Sequence, residues 1–490
     1  MADQPIHPAP PAPQSTPKNI VICCDGTGDE FGPTNSNVVR LYTTLDLDHQ
    51  TAQVAYYHPG VGTMGAPTAR NRIEKQWTRL TGLAFGAGFR DNVFDAYHFL
   101  MTLYNEGDRL FFFGFSRGAY TVRALTGLLH AYGLLRPGNE GHLPYAWREF
   151  TAKVNKKGDD LDKGMVTRHT VAPDFAFRET YSQPRLKIHF VGLWDTVSSI
   201  GWVYSPFRLL YTAQNRSIVT ARHCVSIDER RCFFRQNLYG NPLPGQDIVQ
   251  VWFPGEHSDV GGSYPARDSF PSNTAFLWLL KEARTSGLIV NPDRINLVLG
   301  QRTVKRYRSA RLYLSAPARG HKIHESLTPL WWILEFLPHS YYDWTQRKQL
   351  WRIPLGVRRF IPPGSIIHSS AVRFLNGAYP NEPAYRPPNL VASYLQKGAS
   401  VPFPTTANLA NCYTYNSPQP NLPTAAQTFK RRLLVGLAGL LDLLIVLVLG
   451  ALVAFLLISL GCASLWVLRH LCHFIGMLWS HILGGGGPAR

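Results

Sequence analysis

The chain has 490 residues, of which 45% are hydrophobic, so it carries enough apolar side chains for a large folded core. Its 50 Lys and Arg residues outnumber its 32 Asp and Glu residues, and the formal net charge is +18. A basic surplus suits nucleic acid or an anionic membrane surface, but the sequence contains no helix-turn-helix, zinc-finger or RNA-binding signature, so we expect no nucleic-acid partner.

The N-terminal residues 1–17 are rich in proline and contain no basic start followed by an apolar stretch. They therefore predict a disordered tail rather than a secretory signal. The seven cysteines are odd in number and irregularly spaced, which argues against a disulfide framework and favours a reducing compartment. No Cys and His cluster has the spacing of a zinc site, and we expect neither a metal nor a cofactor.

The first predicted strand runs from Asn19 to Cys24, a β-branched and apolar run that ends in Asp-Gly. A helix follows, with Ser36 or Asn37 as its cap. Residues Gln53 to His58 form a second predicted strand, and a long helical stretch then extends to about Tyr104. The N-terminal part of the chain thus alternates strands with helices.

The same alternation continues along the chain. A third strand, Leu110 to Phe115, leads into a helix from Arg117 to Tyr132. Two further strands are predicted at Leu186 to Leu193 and Asp247 to Phe253, and a helix follows from Asn273 to about Arg284. Strands that alternate with helices predict an α/β fold, with a mainly parallel sheet covered by helices on both faces.

The sequence around Ser116 carries the strongest chemical signal. Gly114, Ser116 and Gly118 satisfy G-x-S-x-G, the nucleophile elbow of α/β hydrolases, when a strand precedes the serine and a helix follows it. Glycines on both sides let the backbone turn sharply and expose the hydroxyl. The Arg117 N–H, at the start of the new helix, is predicted to face an oxyanion. The alternative is an ordinary strand–turn–helix with an incidental serine.

A serine hydroxyl needs a base to remove its proton, and in this fold an acid and then a histidine follow the serine along the chain. Asp195 comes directly after a predicted strand, and His257 comes four residues after Phe253. Because the carboxyl ends of parallel strands open on one edge of the sheet, we expect Ser116, Asp195 and His257 to converge there.

Alternatives for the acid and the base stay open. Asp195 could instead cap the next segment, and His257 could be a hydrogen-bond donor of its loop. Asp259 is a second candidate for the acid, or a group that orients His257. The rival bases are His321, His324 and His368.

The loop after the first strand is the second place where oxyanion donors are expected. Gly26 or Thr27 is predicted to supply an N–H group, while Asp25 fixes the loop by hydrogen bonds. An aspartate phosphatase would also have a strand that ends near D-G-T, but Cys23 stands where that mechanism requires its nucleophilic carboxylate.

Four segments differ in composition from this pattern. Residues 137–187 are polar and irregular and are predicted to be an insertion in a catalytic domain that covers residues 18–400. Residues 301–360 hold 12 Lys and Arg but only three acids, with four interleaved tryptophans. They are predicted to face a membrane, and the alternative is ordinary packing with a solvated surface. Residues 401–429 are predicted to be a linker, and residues 430–490 a membrane anchor.

The anchor prediction rests on residues 443–461, which are 19 residues without a charge and suit a transmembrane helix. The basic triplet Lys430 to Arg432 on its N-terminal side favours a cytosolic catalytic domain. A second apolar stretch, residues 471–483, is too short for a clear span. The alternative for 443–461 is a buried core helix.

Several of these segments together resemble a known family. The segments are Cys24–Thr27, Ser36–Val38, Tyr57–Thr63, Gly114–Tyr120, Gly192–Val197, Phe253–Gly262 and Ile367–Ser370 with Arg373. Over roughly residues 18–390 the chain resembles an uncharacterised α/β-hydrolase domain family related to the catalytic domains of type VI secretion phospholipase effectors. The resemblance implies a Ser116, Asp195 and His257 triad and the hydrolysis of lipid esters, with phospholipids as substrates.

Three classes of function are therefore in view. The first is a serine hydrolase of lipid esters that works at a membrane bilayer. The second is a membrane-tethered scaffold that keeps the hydrolase fold without its activity, and the third is a thioesterase or peptidase that uses the same triad. The sequence does not determine the oligomeric state.

Overall fold

The computed structural model describes residues 16–60, 88–151, 175–299, 322–378 and 384–417, with shorter gaps inside these ranges. The gaps are 27–28, 30, 33, 184–185, 198–200, 203–204, 207–208, 210, 266–267, 329–330, 333–334, 337–338, 344–347 and 400. Residues 1–350 and 354–419 belong to one compact unit. Residues 351–353 and 420–490 belong to a second unit, whose part beyond residue 417 lies outside the described residues.

The main sheet has nine strands. They are β1 (Asn19–Cys24), β2 (Gln53–His58), β3 (Arg109–Phe115), β4 (Ile188–Trp194), β5 (Ile218–Ser226), β6 (Asp247–Phe253), β7 (Ser365–His368), β8 (Leu395–Lys397) and β9 (Cys412–Tyr415). Their order across the sheet is β8-β9-β7-β6-β5-β4-β3-β1-β2. The strands from β7 to β2 pair in parallel, whereas β9 pairs antiparallel with β7 and β8. The predicted α/β fold with a mainly parallel sheet is confirmed.

Helices connect most of these strands. They are α1 (Asn37–Thr44), α2 (Phe89–Leu103), α3 (Ser116–Tyr132), α4 (Phe175–Tyr181), α5 (His257–Gly261), α6 (Phe270–Thr285), α7 (Pro292–Val298) and α8 (Ser369–Leu375). Short 3-10 helices lie at Glu140–His142, Cys232–Phe234 and Ala392–Tyr394, and short strands outside the main sheet lie at Gly201–Trp202, Ser205–Pro206, His339–Asp343 and Lys348–Arg352.

The central strands are buried on both faces, which explains why their sequences are almost continuously apolar. All six residues of β1 are buried. Ile20 and Ile22 pack into a cluster with α2 and α3, whereas Val21 and Cys23 pack into a second cluster with α1 and α6. Because successive side chains of a strand point to opposite faces, one apolar run contributes to two layers of core.

The strand order reverses between β1 and β3. The chain passes from β1 to β2 on one side, and then builds β3 through β7 on the other side. In an open parallel sheet, a ligand crevice forms at the carboxyl ends of the two strands at such a reversal. Asp25 follows β1 and Ser116 follows β3, so both residues lie at the carboxyl edge of the sheet where its strand order reverses.

Strand bounds agree closely with the sequence where the apolar run is unbroken. β1, β2 and β6 have the predicted bounds. Strand β5 was not predicted, because Arg222 and His223 interrupt its apolar pattern although both side chains are buried. Helix α3 begins at Ser116 and α6 begins at Phe270, in both cases earlier than predicted.

Two segment predictions need correction. The described parts of 137–187 are not irregular: residues 140–151 and α4 are helical, and Phe150 and Phe177 are buried in the core. The described part of 401–429 is not a linker, because Cys412–Tyr415 is strand β9 and pairs with β7. The sheet therefore extends past residue 400, where the catalytic domain was predicted to end.

The predictions for both chain ends concern residues that the structure does not describe. Residues 1–15 of the predicted tail and the apolar stretches 443–461 and 471–483 are outside the described residues. Among the helices that are described, none has the length and apolar character needed to cross a bilayer.

Candidate active site

Ser116 occupies the sharp turn between β3 and α3. Its φ is 57°, a left-handed conformation that residues with a side chain rarely adopt. A Cβ on Gly114 would lie 2.6 Å from Ala119 Cα, and a Cβ on Gly118 would lie 2.2 Å from the Cys24 carbonyl oxygen. Both approaches involve backbone atoms, so the turn requires glycine at the two positions that the motif singles out.

His257 is the first residue of α5, which begins four residues after β6 ends. A capping box fixes this helix start: the Glu256 carboxylate accepts hydrogen bonds from N–H groups of the first turn, and Asp259 accepts one from the Glu256 N–H. The imidazole contacts the rings of Phe115 and Phe234, with centroid distances of 4.6 and 4.8 Å. The cap and the two rings together orient the imidazole.

Asp195 follows β4 directly and also has a positive φ, 40°. Its backbone N–H donates to the Cys224 carbonyl at 2.8 Å. The Ser226 N–H donates to Oδ1 at 2.8 Å, and the Ser226 hydroxyl donates to Oδ2 at 3.1 Å. These bonds direct the carboxylate across the sheet edge, towards the end of β5.

The structure brings the side chains of Ser116, His257 and Asp195 into one hydrogen-bonded chain. Nε2 of His257 lies 2.7 Å from Ser116 Oγ, and Nδ1 lies 2.6 Å from Asp195 Oδ2. All three side chains are buried. Burial lowers the pKa of His257, and the hydrogen bond to Asp195 only partly offsets this effect. The imidazole is therefore neutral at neutral pH, so Nε2 can accept a proton.

Arg359 forms a bidentate ion pair with Asp195, a contact that the sequence did not indicate. Its Nη1 lies 2.5 Å from Oδ1 and its Nη2 lies 3.0 Å from Oδ2. Burial by itself raises the pKa of Asp195, but the charge of Arg359 and the hydrogen bond from His257 outweigh it and hold the pKa well below the usual value. Because Arg358 is its neighbour in a basic run, no local pattern distinguishes Arg359 in the sequence.

The three predicted oxyanion donors have different surroundings. Arg117 is the second residue of α3, where first-turn N–H groups point out of the helix end beside Ser116. The Gly26 N–H instead donates to Asp25 Oδ1 at 2.8 Å, so the predicted role of Gly26 requires this bond to break. Thr27 lies outside the described residues.

Asp25 organises the loop after β1. Besides the Gly26 N–H, its carboxylate accepts hydrogen bonds from the hydroxyls of Ser36 at 2.7 Å and Tyr57 at 2.9 Å. Burial and the negative charge of Asp29 raise the pKa of Asp25 to about 8. At neutral pH Asp25 is therefore mostly protonated, which suits a residue that holds a loop by hydrogen bonds.

The rival acid and bases have other partners. Asp259 Oδ1 lies 2.6 Å from His324 Nδ1, and Asp259 Oδ2 accepts the His324 N–H at 2.9 Å. The imidazole of His368 caps helix α8 by accepting the Ser370 N–H. His321 lies outside the described residues. His257 is thus the histidine that the structure places beside Ser116.

A second ion pair supports His257, and the sequence did not predict it either. The Glu229 carboxylate accepts the His257 backbone N–H at 3.2 Å and pairs with Arg231 at 2.8 Å, and Arg231 also pairs with Glu256 at 3.0 Å. Burial raises the pKa of Glu229, but the hydrogen bonds and charge of Arg231 lower it to about 2. Glu229 follows β5. Because that strand was not predicted, the sequence did not indicate that Glu229 lies at the site.

The segment 301–360, predicted to face a membrane, is described only in part. Phe336, Leu355 and Val357 are exposed, whereas Arg359 is buried. Within the part of the chain that the structure describes, no three His, Cys, Asp or Glu side chains are arranged to hold a metal ion.

Comparison with known proteins identifies relatives of this chain. A model of the catalytic domain of type VI secretion Tle1-like phospholipase effectors matches residues 18–282, which is more than half of the chain. An uncharacterized protein of Saccharomyces cerevisiae is 35% identical over 304 residues. That match covers 59% of this chain and 43% of the yeast protein, so the chain spans less than half the length of this relative.

Two solved structures match parts of this chain at 18% sequence identity. An uncharacterized protein from Pseudomonas aeruginosa has a TM-score of 0.34, and the match covers 61% of this chain and 49% of that chain. The Tle1 effector bound to the VgrG spike from the type VI secretion system has a TM-score of 0.28, with 55% and 57% covered. Both scores are low, and neither structure bears on the chemistry of the site.

Proposed function

The chain belongs to the family of type VI secretion Tle1-like phospholipase effector catalytic domains, and from this membership we propose that it is a serine hydrolase of lipids. The proposed substrate is a carboxylic ester of a phospholipid. One observation carries the proposal: Ser116, His257 and Asp195 form a hydrogen-bonded chain at the carboxyl edge of a parallel sheet.

In the proposed reaction, Ser116 Oγ attacks the ester carbonyl while His257 Nε2 takes its proton. The distance of 2.7 Å between these atoms is within the reach needed for general-base catalysis. Asp195 accepts the hydrogen bond from Nδ1–H, so Nε2 is the nitrogen that carries the lone pair. The charge of Asp195 then stabilises the imidazolium that forms.

The second half of the reaction uses the same groups. His257 first gives its proton to the departing alcohol. It then takes a proton from water, whose oxygen attacks the acyl carbonyl, and returns that proton to Ser116 Oγ as the acyl–Oγ bond breaks and the fatty acid leaves. The Arg117 N–H is the proposed oxyanion donor, because first-turn N–H groups of α3 point to the space beside Ser116. A donor from Gly26 requires the loop after β1 to rearrange when substrate binds.

We also propose that residues 443–461 anchor the protein in a membrane, with the catalytic unit on the cytosolic side. The 19 uncharged residues and the basic triplet before them support this placement, which holds the hydrolase beside its lipid substrate. In membranes from cells that express the full chain, the protein should resist carbonate extraction. A protease added to the cytosolic side of sealed membranes should digest the catalytic unit. Protection of that unit would overturn the proposed orientation.

The decisive test compares the wild type with Ser116→Ala. A fluorophosphonate probe should label the wild type, and Ser116→Ala should lose both the label and phospholipid hydrolysis, with kcat lower by roughly 10⁴-fold or more. Ser286→Ala is the matched control, because Ser286 caps the end of α6 and its hydroxyl donates to the Glu282 carbonyl of the same helix at 3.1 Å. It should keep the label and the activity.

The other outcomes identify the competing functions. Full activity in Ser116→Ala would disprove the mechanism. A folded wild type that neither reacts with the probe nor cleaves any ester would favour the scaffold. Turnover of acyl-CoA or a peptide, without turnover of phospholipid, would favour the thioesterase or peptidase.

A further inference from the structure

Asp195 has more hydrogen-bond donors around it than an acid that only orients a histidine requires. His257 Nδ1, the Ser226 N–H and hydroxyl, and both terminal nitrogens of Arg359 all contact its two oxygens. A carboxylate offers about four lone-pair positions, so these contacts saturate it and prevent rotation. Arg359 supplies two of the contacts and the only side-chain cation among them.

Arg359 is itself held firmly. Its Nε donates to the Phe234 carbonyl at 3.1 Å, and its Nη1 donates to the Ser226 carbonyl at 3.3 Å and hydroxyl at 2.7 Å. The Asn389 side chain donates to the Arg359 carbonyl at 3.0 Å. A buried ion pair is stable only when further hydrogen bonds satisfy its remaining groups, and these contacts meet that condition.

The same guanidinium also reaches the support of the base. Phe234, whose carbonyl accepts hydrogen bonds from Arg359, packs its ring against His257 at 4.8 Å and 74°. Arg359 therefore fixes the acid directly and one wall of the imidazole indirectly. Removal of the Arg359 guanidinium would therefore loosen both Asp195 and the Phe234 ring, which contact the imidazole of His257.

The charges that face Asp195 are few. Besides Arg359 and His257, its ionisable neighbours among the residues that the structure describes are His223 and Cys224. Burial lowers the pKa of His223 to about 3 and raises the pKa of the Cys224 thiol well above its usual value, so both are neutral near pH 7. Arg359 is thus the group that balances the charge of Asp195 before the reaction begins.

The charges that face His257 are balanced in the same way. Its ionisable neighbours are Asp195, Glu229 and Arg231. Glu229 and Arg231 form an ion pair at 2.8 Å, just as Asp195 pairs with Arg359. Arg231 also pairs with Glu256 at 3.0 Å, but burial and the charge of Glu229 raise the pKa of Glu256 well above its usual value. Because Glu256 is thus held protonated while Arg231 balances Glu229, no net negative charge holds an extra proton on the imidazole.

We propose that Arg359 is a positioning residue of the triad, which locks both oxygens of Asp195 and balances their charge so that His257 remains a neutral base in mildly acidic conditions. The inference rests on the proposed function, and it concerns a residue outside the range 18–282 that the family model matches. Arg359 acts through Asp195 and does not touch the reacting atoms.

The test measures kcat/KM for ester hydrolysis by the full chain between pH 4 and 8. Arg359→Met should lower kcat by about 10²-fold, as a misoriented triad does. It should also shift the acid limb, the pH range in which kcat/KM falls as His257 becomes protonated, to a pH that is higher by about 1 unit. The reason is that loss of a nearby cation favours the protonated imidazole. Arg359→Lys keeps the charge but not the two-pronged geometry, so kcat should fall while the limb stays in place.

Arg222→Met is the matched control. Arg222 is also buried and paired, with Asp247 at 2.8 Å and Glu282 at 2.7 Å. Among the described residues, its further hydrogen bonds go to the Ala221 carbonyl and the Thr406 hydroxyl and not to the triad. Its substitution should lower the unfolding midpoint without moving the acid limb. A limb shift specific to Arg359→Met therefore separates positioning of the triad from a general loss of stability.

The combined variant Asp195→Asn with Arg359→Met provides a second test. If Arg359 acts mainly through Asp195, the combined loss of activity should be clearly smaller than the product of the two single losses. Additive losses, an unmoved acid limb in Arg359→Met, or wild-type kcat in Arg359→Lys would each overturn the inference. If Arg359→Met does not fold, the kcat of Arg359→Lys by itself tests the inference. If the wild type itself shows neither activity nor probe labelling, the proposed function is wrong. If the wild type is active and labelled but the Arg359 variants do not behave as expected, only the inference about Arg359 is wrong.

Discussion

Two aspartates at the same sheet edge have opposite protonation states, because their neighbours differ. Burial by itself raises the pKa of both carboxyls. Asp195 faces a buried guanidinium, whose positive charge reverses the effect and keeps the carboxylate ionised. Asp25 faces the hydroxyls of Ser36 and Tyr57 and the negative charge of Asp29, and its pKa rises to about 8. Hydrogen bonds from neutral hydroxyls do not replace the solvation that burial removes.

This difference predicts a pH-dependent stability that Asp25→Asn removes. The folded-state pKa of about 8 exceeds the ordinary value of 3.8, so the folded protein binds the proton more tightly than the unfolded chain does. The contribution is complete below pH 3.8 and is lost as the pH rises through 8. Urea unfolding at pH 5, 7 and 9 should show a steeper decline for the wild type than for Asp25→Asn.

The control for this measurement is Asp91→Asn, because Asp91 is an exposed residue in the first turn of α2. Its stability should fall with pH as the wild type does. Parallel curves for the wild type and Asp25→Asn would mean that Asp25 is ionised throughout this range.

At the scale of the element, the position of Ser116 depends on how closely β3, α3 and the loop after β1 approach one another. β3 ends at Phe115 and α3 starts at Ser116, with no loop between them. Gly118 lies in the first turn of α3, where an added Cβ would collide with the carbonyl oxygens of Cys24 and Asp25. Ser116, the proposed nucleophile, is therefore held beside the loop after β1 at a distance that a single added methyl group would change.

Gly118→Ala should for this reason be destabilising and nearly inactive. Its Cβ would lie 2.2 Å from the Cys24 carbonyl oxygen, a backbone atom that cannot move without disturbing β1. We expect a loss of about 1–3 kcal/mol or more in the free energy of unfolding, measured by urea titration. Gly141→Ala, where the added Cβ meets open space, should be close to wild type. Equal stability of the two variants would contradict the proposed close packing.

At the scale of the whole unit, the sheet is completed by chain far from its start. β9 pairs with both β7 and β8, and Leu409 and Cys412 are buried in an apolar cluster that also includes residues of β1 and α6. The hydroxyls of Thr405 and Thr406 donate to the Asp247 carboxylate at 2.6 and 2.8 Å. The segment predicted as a linker is therefore a structural part of the fold.

Two truncations test this conclusion. A chain that ends at residue 429 keeps β9 and should unfold cooperatively. A chain that ends at residue 400 loses β9 and exposes the apolar surface beneath it, which should cost several kcal/mol at about 25 cal/mol per Å² of apolar surface. Urea unfolding and binding of a hydrophobic dye report the difference. The same unfolding midpoint for both chains would show that residues 401–417 are dispensable.

The sequence by itself determined the α/β class, the bounds of the strands with unbroken apolar runs, the family, and three polar residues placed after strands. These features depend on local physics: an apolar run predicts a buried strand, and strand ends of a parallel sheet share one edge. Only the tertiary structure decided that β5 exists and that Arg359 is the counter-ion of Asp195. Arg359 lies 164 residues away from Asp195 along the chain, within a basic run, so its position follows from long-range packing and not from its neighbours in sequence.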